Sequence, residues 1–329
     1  MPGFAFGVSK SYLWDASSIA SKGKRVSINA VYKQNYILFD KTVEMLQETF
    51  RYTASTFPGV EYPFPIITAF NGDGAMEHPA MVNDTDLDDL TIHWYITCHE
   101  AGHQYFPFYV GTNERRHAWM DEGVTTFYSR EFTDIAMNDT SKKQVKQMIT
   151  NYTSEAGTKK EIPPMIHSNN MREGYRTASY NRSAVALYVL RETVGKEKFN
   201  KAFKDFIENW NRKHPMPEDF FNTFNRVCGE DLAWFWKAWY YELAYPDLAV
   251  KSVSENKITV KNIGKMPVPI YLEVTFTDGT SEKIEKNTSV WKTGKQELEF
   301  ETSKKEIKQV KIGNDFIPDA EKNNNLWTK

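Results

Sequence analysis

Apolar and polar residues recur along the chain in patterns that predict both strands and helices. Residues 26–31 alternate with a period of two, and residues 66–70 form a short apolar run, so both segments predict strands. Residues 40–52 carry apolar side chains at helical spacing, and Asp40 is placed to cap that helix. The same spacing predicts further helices at 86–106, 118–135, 141–155, 180–194, 196–211, 217–227 and 231–243.

The spacing changes after residue 246, where short alternating runs replace the helical pattern. Strands are predicted at 257–260, 268–276 and 297–301. Asp278-Gly279 and Thr293-Gly294 lie between such runs and are typical of hairpin turns. Short strands with regular turns predict a small β-sandwich at 247–318, and the Asn-rich end at 319–329 predicts a flexible tail. We therefore expect an α+β chain with a mainly helical domain at 1–246 followed by the sandwich.

Composition and charge exclude several classes of protein. The 329 residues carry 41 Lys+Arg against 43 Asp+Glu, a formal charge of -2, which argues against nucleic acid as a partner. The sequence contains no run of about 18 apolar residues, so no membrane span is predicted. Two cysteines cannot form a disulfide framework, and no signal peptide is recognised, which leaves the cellular location open.

The segment His99-Glu100-Ala101-Gly102-His103 carries the strongest chemical signal. At about 3.6 residues per turn, two histidines four positions apart leave the same face of a helix and can bind one metal ion. Glu100 lies at the edge of that face, where it can reach a metal-bound water without being a ligand. Because histidines also serve as packing residues in protein cores, a third ligand is needed to favour the metal site.

Glu122 is the candidate third ligand. It lies nineteen residues after His103, a gap that fits one loop and the start of a second helix. Two histidines and one carboxylate leave the fourth position of zinc open for water, which is the arrangement of a catalytic site. The sequence therefore predicts one Zn2+ per chain, held by His99, His103 and Glu122. Such a zinc ion acidifies its bound water and polarises a scissile carbonyl, and Glu100 would act as the general base.

Three motifs, in this order along the chain, resemble the M1 family of zinc aminopeptidases, which are gluzincin metallopeptidases. Gly74-Ala75-Met76-Glu77-His78 is similar to the family's Gly-x-Met-Glu-Asn motif, and the histidine segment with Glu122 follows it. Tyr180-Asn181-Arg182-Ser183 is similar to the family's Tyr-Glu-Lys-Gly segment. The resemblance covers residues 1–246. It implies a thermolysin-like catalytic domain, which an immunoglobulin-like β-sandwich often follows.

The resemblance also implies a role for the residues of the outer motifs. Glu77, with Gly74, Ala75 and Met76, would bind the free amino terminus of a peptide substrate, and Tyr180 would donate to the oxyanion of the tetrahedral intermediate. The implied activity is that of a hydrolase of the metalloprotease class, peptidase M1, which cleaves N-terminal peptide bonds. Two alternatives stay open: a thermolysin-like endopeptidase, and a zinc-containing, non-catalytic peptide-binding module.

The chain departs from the family pattern at several positions. His78 replaces Asn, and Arg182-Ser183 replaces Lys-Gly after the tyrosine. Ser129 stands where many relatives carry a glutamate that hydrogen-bonds a ligand histidine, so another group must orient that imidazole. Relatives begin with a β-domain that covers the cleft. Because that domain is missing here, we expect the chain to be a fragment whose missing domain packs on the cleft.

Three residues near the histidine motif are predicted to have no catalytic role. Cys98 points about 100° away from His99 around the helix, so a buried packing thiol is expected. His93 lies on another face of the same helix and is expected to be structural. His117 stands among charged residues and is expected to be a solvated loop residue.

Overall fold

The structure, a computed structural model, describes residues 3–36, 38–303 and 305–329. The expected α+β class is confirmed, because helices and several sheets share the chain. Within these ranges no helix is both long and apolar enough to cross a membrane. The chain divides into two compact units: the first comprises Met1–Gln144 and Glu197–Cys228, and the second comprises Val145–Lys196 and Gly229–Lys329. The predicted domain boundary near residue 246 stays a prediction.

The elements have the following bounds in chain order. The α-helices are α1 Thr42–Ser55, α2 Leu90–Gly102, α3 Glu122–Ala136, α4 Lys143–Thr153, α5 Ser183–Val194, α6 Lys196–Trp210, α7 Pro217–Cys228 and α8 Ala233–Trp236. The strands are β1 Tyr12–Ser21, β2 Lys24–Lys33, β3 Ile66–Asn71, β4 Met76–His78, β5 Met81–Asp84, β6 Leu248–Ser254, β7 Lys257–Asn262, β8 Ile270–Phe276, β9 Ser281–Lys286, β10 Glu297–Glu301, β11 Ile307–Ile312 and β12 Leu326–Thr328. Short π-helical turns lie at Gln104–Tyr109, Thr177–Arg182 and Lys237–Tyr241.

A mixed five-stranded sheet in the order β1-β2-β3-β5-β4 forms one layer of the first unit. Strands β2, β3 and β5 run parallel to one another, whereas β1 and β4 are antiparallel edge strands. The predicted strands at 26–31 and 66–70 are confirmed as parts of β2 and β3. Strand β4 is only three residues long, and its central residue is Glu77.

Helices α1 and α2 pack against this sheet and close the core of the first unit. Ile28 and Ala69 of the sheet are fully buried, as are Leu46 of α1 and Ala101 of α2. Removal of this apolar surface from water is the main force that holds the helices on the sheet. The helix that carries the candidate metal-binding histidines is therefore anchored along its apolar face.

The second unit contains two antiparallel sheets, β10-β7-β6 and β12-β11-β8-β9. Strand β6 contacts β11 and β12, so the two sheets pack on each other. Their facing side chains alternate with outward polar ones, and Val260, Leu272, Val274 and Val310 are fully buried between them. Such a pair of sheets is the architecture that the short alternating runs after residue 246 predicted.

Helices α1 and α2 are among the predicted helices that begin later than their patterns indicated. Helix α1 starts at Thr42, and Asp40 does not cap it, because Asp40 lies in the 3-10 turn Leu38–Lys41 that precedes the helix. Helix α2 starts at Leu90 and ends at Gly102. The chain continues as the π-helical turn, in which Pro107 has no N–H to extend regular helical hydrogen bonding.

Two expectations for the second unit also differ from the structure. Thr293-Gly294 does not close a hairpin, because β10 pairs with β7 and not with the preceding strand β9. The segment from Asp319 was expected to be flexible, but its strand β12 pairs with β11. The backbone N–H of Lys329 donates to the Lys308 carbonyl (3.0 Å), which extends that pairing to the last residue.

Candidate active site

Helix α2 is held at its start and joined to the sheet before it presents its histidines. The Asp89 carboxylate caps the helix by accepting from the backbone N–H groups of Thr91 (2.7 Å) and Ile92 (3.0 Å), which have no partner inside the helix. At the end of β5, the buried Asp84 accepts a hydrogen bond from the Thr97 hydroxyl (2.7 Å). These contacts fix the helix at its start and two residues before His99.

The start of α3 presents two acidic residues to the same place. Trp119 is fully buried and stacks on Phe221, with ring centroids 5.6 Å apart and planes 3° from parallel. Phe220 packs against the same indole at 5.6 Å in an edge-on arrangement. This aromatic anchor holds the turn that leads to Asp121, and Glu122 follows as the first residue of α3.

Helices α2 and α3 can approach closely because residue 102 is a glycine. A Cβ added to Gly102 would lie 2.3 Å from Cε1 and 2.6 Å from the hydroxyl of Tyr128 on α3. That hydroxyl donates to the carbonyl oxygen of Cys98, one helical turn earlier on α2. Because Gly102 has no side chain, the Tyr128 ring can occupy this space. The contact sets the separation between the two helices that carry the candidate ligands.

Three side-chain atoms from these helices form a compact triangle. His99 Nε2 lies 3.2 Å from His103 Nε2 and 3.2 Å from Glu122 Oε2, and His103 Nε2 lies 3.5 Å from the same oxygen. Bonds of about 2.0–2.1 Å from a tetrahedral zinc place its ligand atoms about 3.3–3.4 Å apart. The three edges fit one face of that tetrahedron, so these residues fit a zinc ion with a fourth position left open.

His103 is oriented by a neighbour that the sequence analysis did not name. Its Nδ1 donates to the Asp121 carboxylate and to the carbonyl of Phe106 (3.1 Å), which leaves Nε2 facing His99 and Glu122. Ser129 does not take this part, because its hydroxyl donates to the Thr125 carbonyl of its own helix (2.6 Å). Asp121 directly precedes Glu122, so adjacency to the ligand was the signal that could have identified it.

The protonation states of His99 and Glu122 suit a cation, whereas His103 carries a proton that a cation would displace. Burial lowers the pKa of His99, which keeps its imidazole neutral. Burial acts on Glu122 in the opposite direction, but the charge of His103 outweighs it and holds the pKa of this carboxyl well below its usual range. For His103, burial is outweighed by Asp121 and Glu122, which raise its pKa. A divalent cation would displace the proton that His103 then carries.

Glu100 is buried beside the triangle. Burial raises the pKa of Glu100 to about 8, against the opposing charge of His103 and with an added contribution from Glu77. Its Oε2 is shielded from solvent, and no group among the described residues hydrogen-bonds it. A cation at the adjacent triangle would lower the pKa of Glu100 and favour the carboxylate. Glu100 therefore offers an acceptor that a water or substrate proton can take.

Glu77 lies on the edge strand β4 and is buried. Burial raises the pKa of its carboxyl, although the charge of His103 opposes the shift. Its carboxylate, a nitrogen of His103 and an oxygen of Asp121 all lie within 4.8 Å of one another. The structure thus places Glu77 close to His103, and the charges of Glu77, Glu100 and Glu122 act on one another.

The loop before β4 is fixed by one side chain. Asn83 Nδ2 donates to the carbonyl oxygens of Asp73 (3.0 Å) and Gly74 (2.9 Å). Gly74 has a φ of 78°, in the left-handed region that favours glycine. Ala75 and Met76 follow it and are exposed to solvent. These three residues therefore form an accessible rim next to Glu77.

Tyr180 belongs to the second unit, whereas the candidate metal ligands belong to the first. It lies half-buried in the π-helical turn that leads into α5, with the Arg176 guanidinium 5.5 Å from its ring centroid. Its catalytic role stays a prediction that depends on the sequence motif.

Arg182, which departs from the family pattern, is fully buried two residues after Tyr180. Its Nη1 pairs with Glu161 Oε1 at 2.6 Å. Its other nitrogens donate to the carbonyl oxygens of Trp239 (2.9 Å), Ala238 (2.8 Å) and Glu242 (2.8 Å). A planar guanidinium with five N–H donors suits this set of acceptors, whereas the single ammonium of lysine does not.

Three neighbouring residues were predicted to have no catalytic role. The predicted environment is found for two of them and is wrong for the third. Cys98 is confirmed as a buried thiol, and burial raises its pKa to about 12. His93 is buried and hydrogen-bonds the Thr42 hydroxyl through Nε2 (3.0 Å), so it is structural as expected. His117 is buried, not solvated as expected, and its backbone N–H donates to the Asn113 carbonyl (2.7 Å).

A family model and individual relatives both relate this chain to M1 peptidases and aminopeptidases. Residues 38–239 match the family model of the peptidase family M1 domain. The chain is 23% identical over 247 residues to aminopeptidase N of Haemophilus influenzae, an alignment that covers 67% of this chain and 27% of that protein. It is 23% identical over 178 residues to leucyl aminopeptidase of Saccharolobus solfataricus, which covers 50% of this chain and 22% of that protein. The chain therefore spans only about a quarter of the length of these curated relatives.

Solved structures show the same fold. The structure of Legionella pneumophila aminopeptidase A in complex with aspartic acid superposes with a TM-score of 0.70 at 17% identity, and the match covers 93% of this chain and 37% of that chain. The M1 zinc metallopeptidase of Deinococcus radiodurans superposes with a TM-score of 0.57 at 14% identity, over 72% of this chain and 53% of that chain. At these identities the superpositions show that the fold is shared, and they say nothing about the roles of individual residues.

Proposed function

Since the chain belongs to peptidase family M1, we propose that it acts as a zinc-dependent aminopeptidase, which hydrolyses the N-terminal peptide bond of peptides. The observation that supports this most directly is the triangle of His99, His103 and Glu122, whose edges of 3.2–3.5 Å match zinc ligands. We propose one Zn2+ per chain at this triangle. Bound there, zinc supplies a Lewis acid that polarises the scissile carbonyl and acidifies water.

Glu100 is proposed as the general base. It takes a proton from the attacking water and later passes it to the leaving amine. Two properties support this role: burial next to the triangle, and an oxygen without a hydrogen-bond partner among the described residues. A cation at the triangle would favour the carboxylate form of Glu100, which is the form that accepts a proton.

Glu77 is proposed to bind the substrate's free α-ammonium group, with Gly74, Ala75 and Met76 as the rim of that subsite. A buried carboxylate pairs strongly with an ammonium group when water is excluded. A peptide without a free amino terminus leaves Glu77 unpaired, which penalises internal cleavage. The burial of the Glu77 carboxylate beside the candidate ligands supports an exopeptidase over the endopeptidase alternative.

Tyr180 is proposed to donate its hydroxyl to the oxyanion of the tetrahedral intermediate, a role that depends on the Tyr180–Ser183 motif. The buried Arg182, bonded to Glu161 and to three backbone carbonyls, supports a rigid backbone at this turn. A rigid donor stabilises developing charge without reorganisation during the reaction.

Two measurements on the purified protein test the proposal: its zinc content, and its activity against a panel of aminoacyl amides. We expect zinc-dependent release of N-terminal residues that a chelator abolishes. Glu100→Ala should retain zinc and lose turnover, and Glu77→Ala should retain zinc and lose the preference for free amino termini. Glu44→Ala, an exposed carboxylate on α1, is the matched control. Cleavage of N-acetylated peptides at the same rate would favour the endopeptidase, and bound zinc without turnover would favour the peptide-binding module.

A further inference from the structure

The side-chain amide of Gln104 joins the candidate metal helix to the strand that carries Glu77. Gln104 directly follows His103, opens the π-helical turn and is fully buried. Its Nε2 donates to the carbonyl oxygen of His78 (2.9 Å), and its Oε1 accepts from the backbone N–H of Ala80 (2.8 Å). Both ends of the amide are therefore used, and both reach the segment immediately after Glu77.

This pair of bonds resembles the pairing made by a neighbouring strand. In a sheet, an adjacent chain bonds a carbonyl and an N–H that lie two residues apart, as His78 and Ala80 do. Strand β4 is at the edge of the described sheet and pairs with β5 alone. The Gln104 amide supplies the second partner for this three-residue strand. It also holds the β4–β5 turn. In that turn Ala80 has a φ of 61°, a conformation that is unfavourable for residues other than glycine.

The consequence is a fixed distance between two parts of the site. The Glu77 carboxylate lies within 4.8 Å of the nearest ligand-type atoms of His103 and Asp121. Glu77 is one residue from the first bond of Gln104, and His103 is one residue from its backbone. A short edge strand without this amide would be anchored by β5 alone and could shift relative to α2.

We propose that Gln104 is a positioning residue that sets the distance between Glu77 and the metal-binding histidines, and thereby the selectivity for substrates with a free amino terminus. The proposal rests on the function proposed above. Gln104 touches neither substrate nor metal in this scheme. It acts through the backbone of the two segments that it joins, the one that carries Glu77 and the one that carries His103.

Gln104→Met, which keeps the length of the side chain and removes both hydrogen bonds, tests the proposal in the zinc-loaded protein. Gln104→Asn, one methylene shorter, keeps the amide but reaches at most one partner, and it serves as the second variant if the first folds poorly. The matched control is Gln47→Met, because the Gln47 amide joins α1 to Ser17 (2.9 Å) and Ser18 (3.1 Å) of β1, far along the sheet from β4. Zinc content is measured for every variant.

Two readouts separate positioning from general damage. The first is the ratio of kcat/KM for an aminoacyl amide to that for its N-acetylated analogue. The second is the ratio of the Kd of an N-acetylated dipeptide to the Kd of the dipeptide with a free amino terminus, measured by calorimetry on the inactive Glu100→Ala protein. We expect Gln104→Met to reduce both ratios by about tenfold to a hundredfold with zinc content unchanged, because a shift of about 1 Å in a positioned group costs up to that much. Gln47→Met should leave both ratios unchanged.

The combined variant Glu77→Ala/Gln104→Met decides how Gln104 acts. If Gln104 acts through Glu77, adding its substitution to Glu77→Ala should leave the two ratios of the single Glu77→Ala variant unchanged. Unchanged selectivity in Gln104→Met, or a further equal loss in the Glu77→Ala background, overturns the inference alone. A wild-type protein without any preference for free amino termini overturns the proposed function, and this inference with it.

Discussion

Gly102→Ala should weaken both the fold of the first unit and its metal site. The backbone of Gly102 is helical, so alanine fits its conformation and would add up to about 1 kcal/mol of helix propensity. The new Cβ, however, would lie 2.3 Å from Tyr128 Cε1 and 2.6 Å from its hydroxyl. Tyr128 is buried, so the ring cannot swing into solvent.

The opposing terms give the expected magnitude. Overpacking of a buried ring costs about 1–3 kcal/mol. Displacement of Tyr128 also breaks its hydrogen bond to the Cys98 carbonyl, which contributes about 1 kcal/mol. After the gain in propensity is subtracted, the free energy of unfolding should fall by about 1–3 kcal/mol. Because α3 must move away from α2, Glu122 also moves from the histidines, and zinc affinity should fall.

Urea unfolding measures the first effect, and competition with a chromogenic chelator measures the second. Tyr128→Ala and the double variant complete a cycle: with the ring removed, the alanine at position 102 no longer clashes, so the double variant should be less destabilised than the sum of the singles. Gly102→Ala protein as stable as the wild type, or strictly additive free energies, would refute the packing argument.

Three further changes test other parts of the structure. Asp121→Ala should weaken zinc binding by about 10- to 100-fold, since it removes the group that orients His103. Ser129→Ala is the control in the chelator assay, and equal affinities for the two variants would contradict the assignment. Arg182→Met should lower the free energy of unfolding by about 3–5 kcal/mol, because Glu161 is left buried and unpaired. Adding Glu161→Gln should recover part of that loss in urea unfolding, and a double variant no more stable than the single would argue against the buried charge as the cause. Asp84 is almost fully buried, and burial raises its pKa from 3.8 to about 6. The folded state therefore holds a proton that the unfolded state releases between about pH 4 and 6, so this group lowers stability as pH rises through that window, by about 3 kcal/mol in total. The difference in stability between Asp84→Asn and the wild type should accordingly grow in favour of the variant from pH 4 to 7, and a pH-independent difference would reject this account.

The candidate site was largely accessible from sequence because its chemistry is local. Helical periodicity places His99 and His103 on one face, and one loop separates them from Glu122. The orienting partner of His103 was not predicted, although Asp121 is adjacent to Glu122, because the family pattern places that partner at Ser129, seven residues after Glu122. Gln104 was also missed, since its contacts with the segment after Glu77 depend on how a helix and a strand end meet in space.

Sheet topology was less accessible for the same reason. Strand β1 carries small and polar residues over much of its length and faces solvent, so it has little of the apolar alternation that marks a half-buried strand. The pairing of β10 with β7 and of β11 with β8 joins strands that are not consecutive along the chain, which turn signals cannot specify. Helix α1 begins two residues later than its pattern predicted, because a 3-10 turn, and not a capping side chain, precedes it.

The first unit is assembled from two separated stretches of chain, and this affects how it forms during synthesis. Phe57 packs against Phe199 (5.9 Å) and Phe203 (4.9 Å) of α6, more than a hundred positions later. On the ribosome, the sheet and both candidate metal-binding helices emerge well before α6 and α7 do. Their apolar surface stays exposed while the intervening stretch is translated. Nascent chains halted before α6 and α7 have left the ribosome should therefore be more sensitive to protease and more dependent on chaperones than chains halted after both helices have emerged.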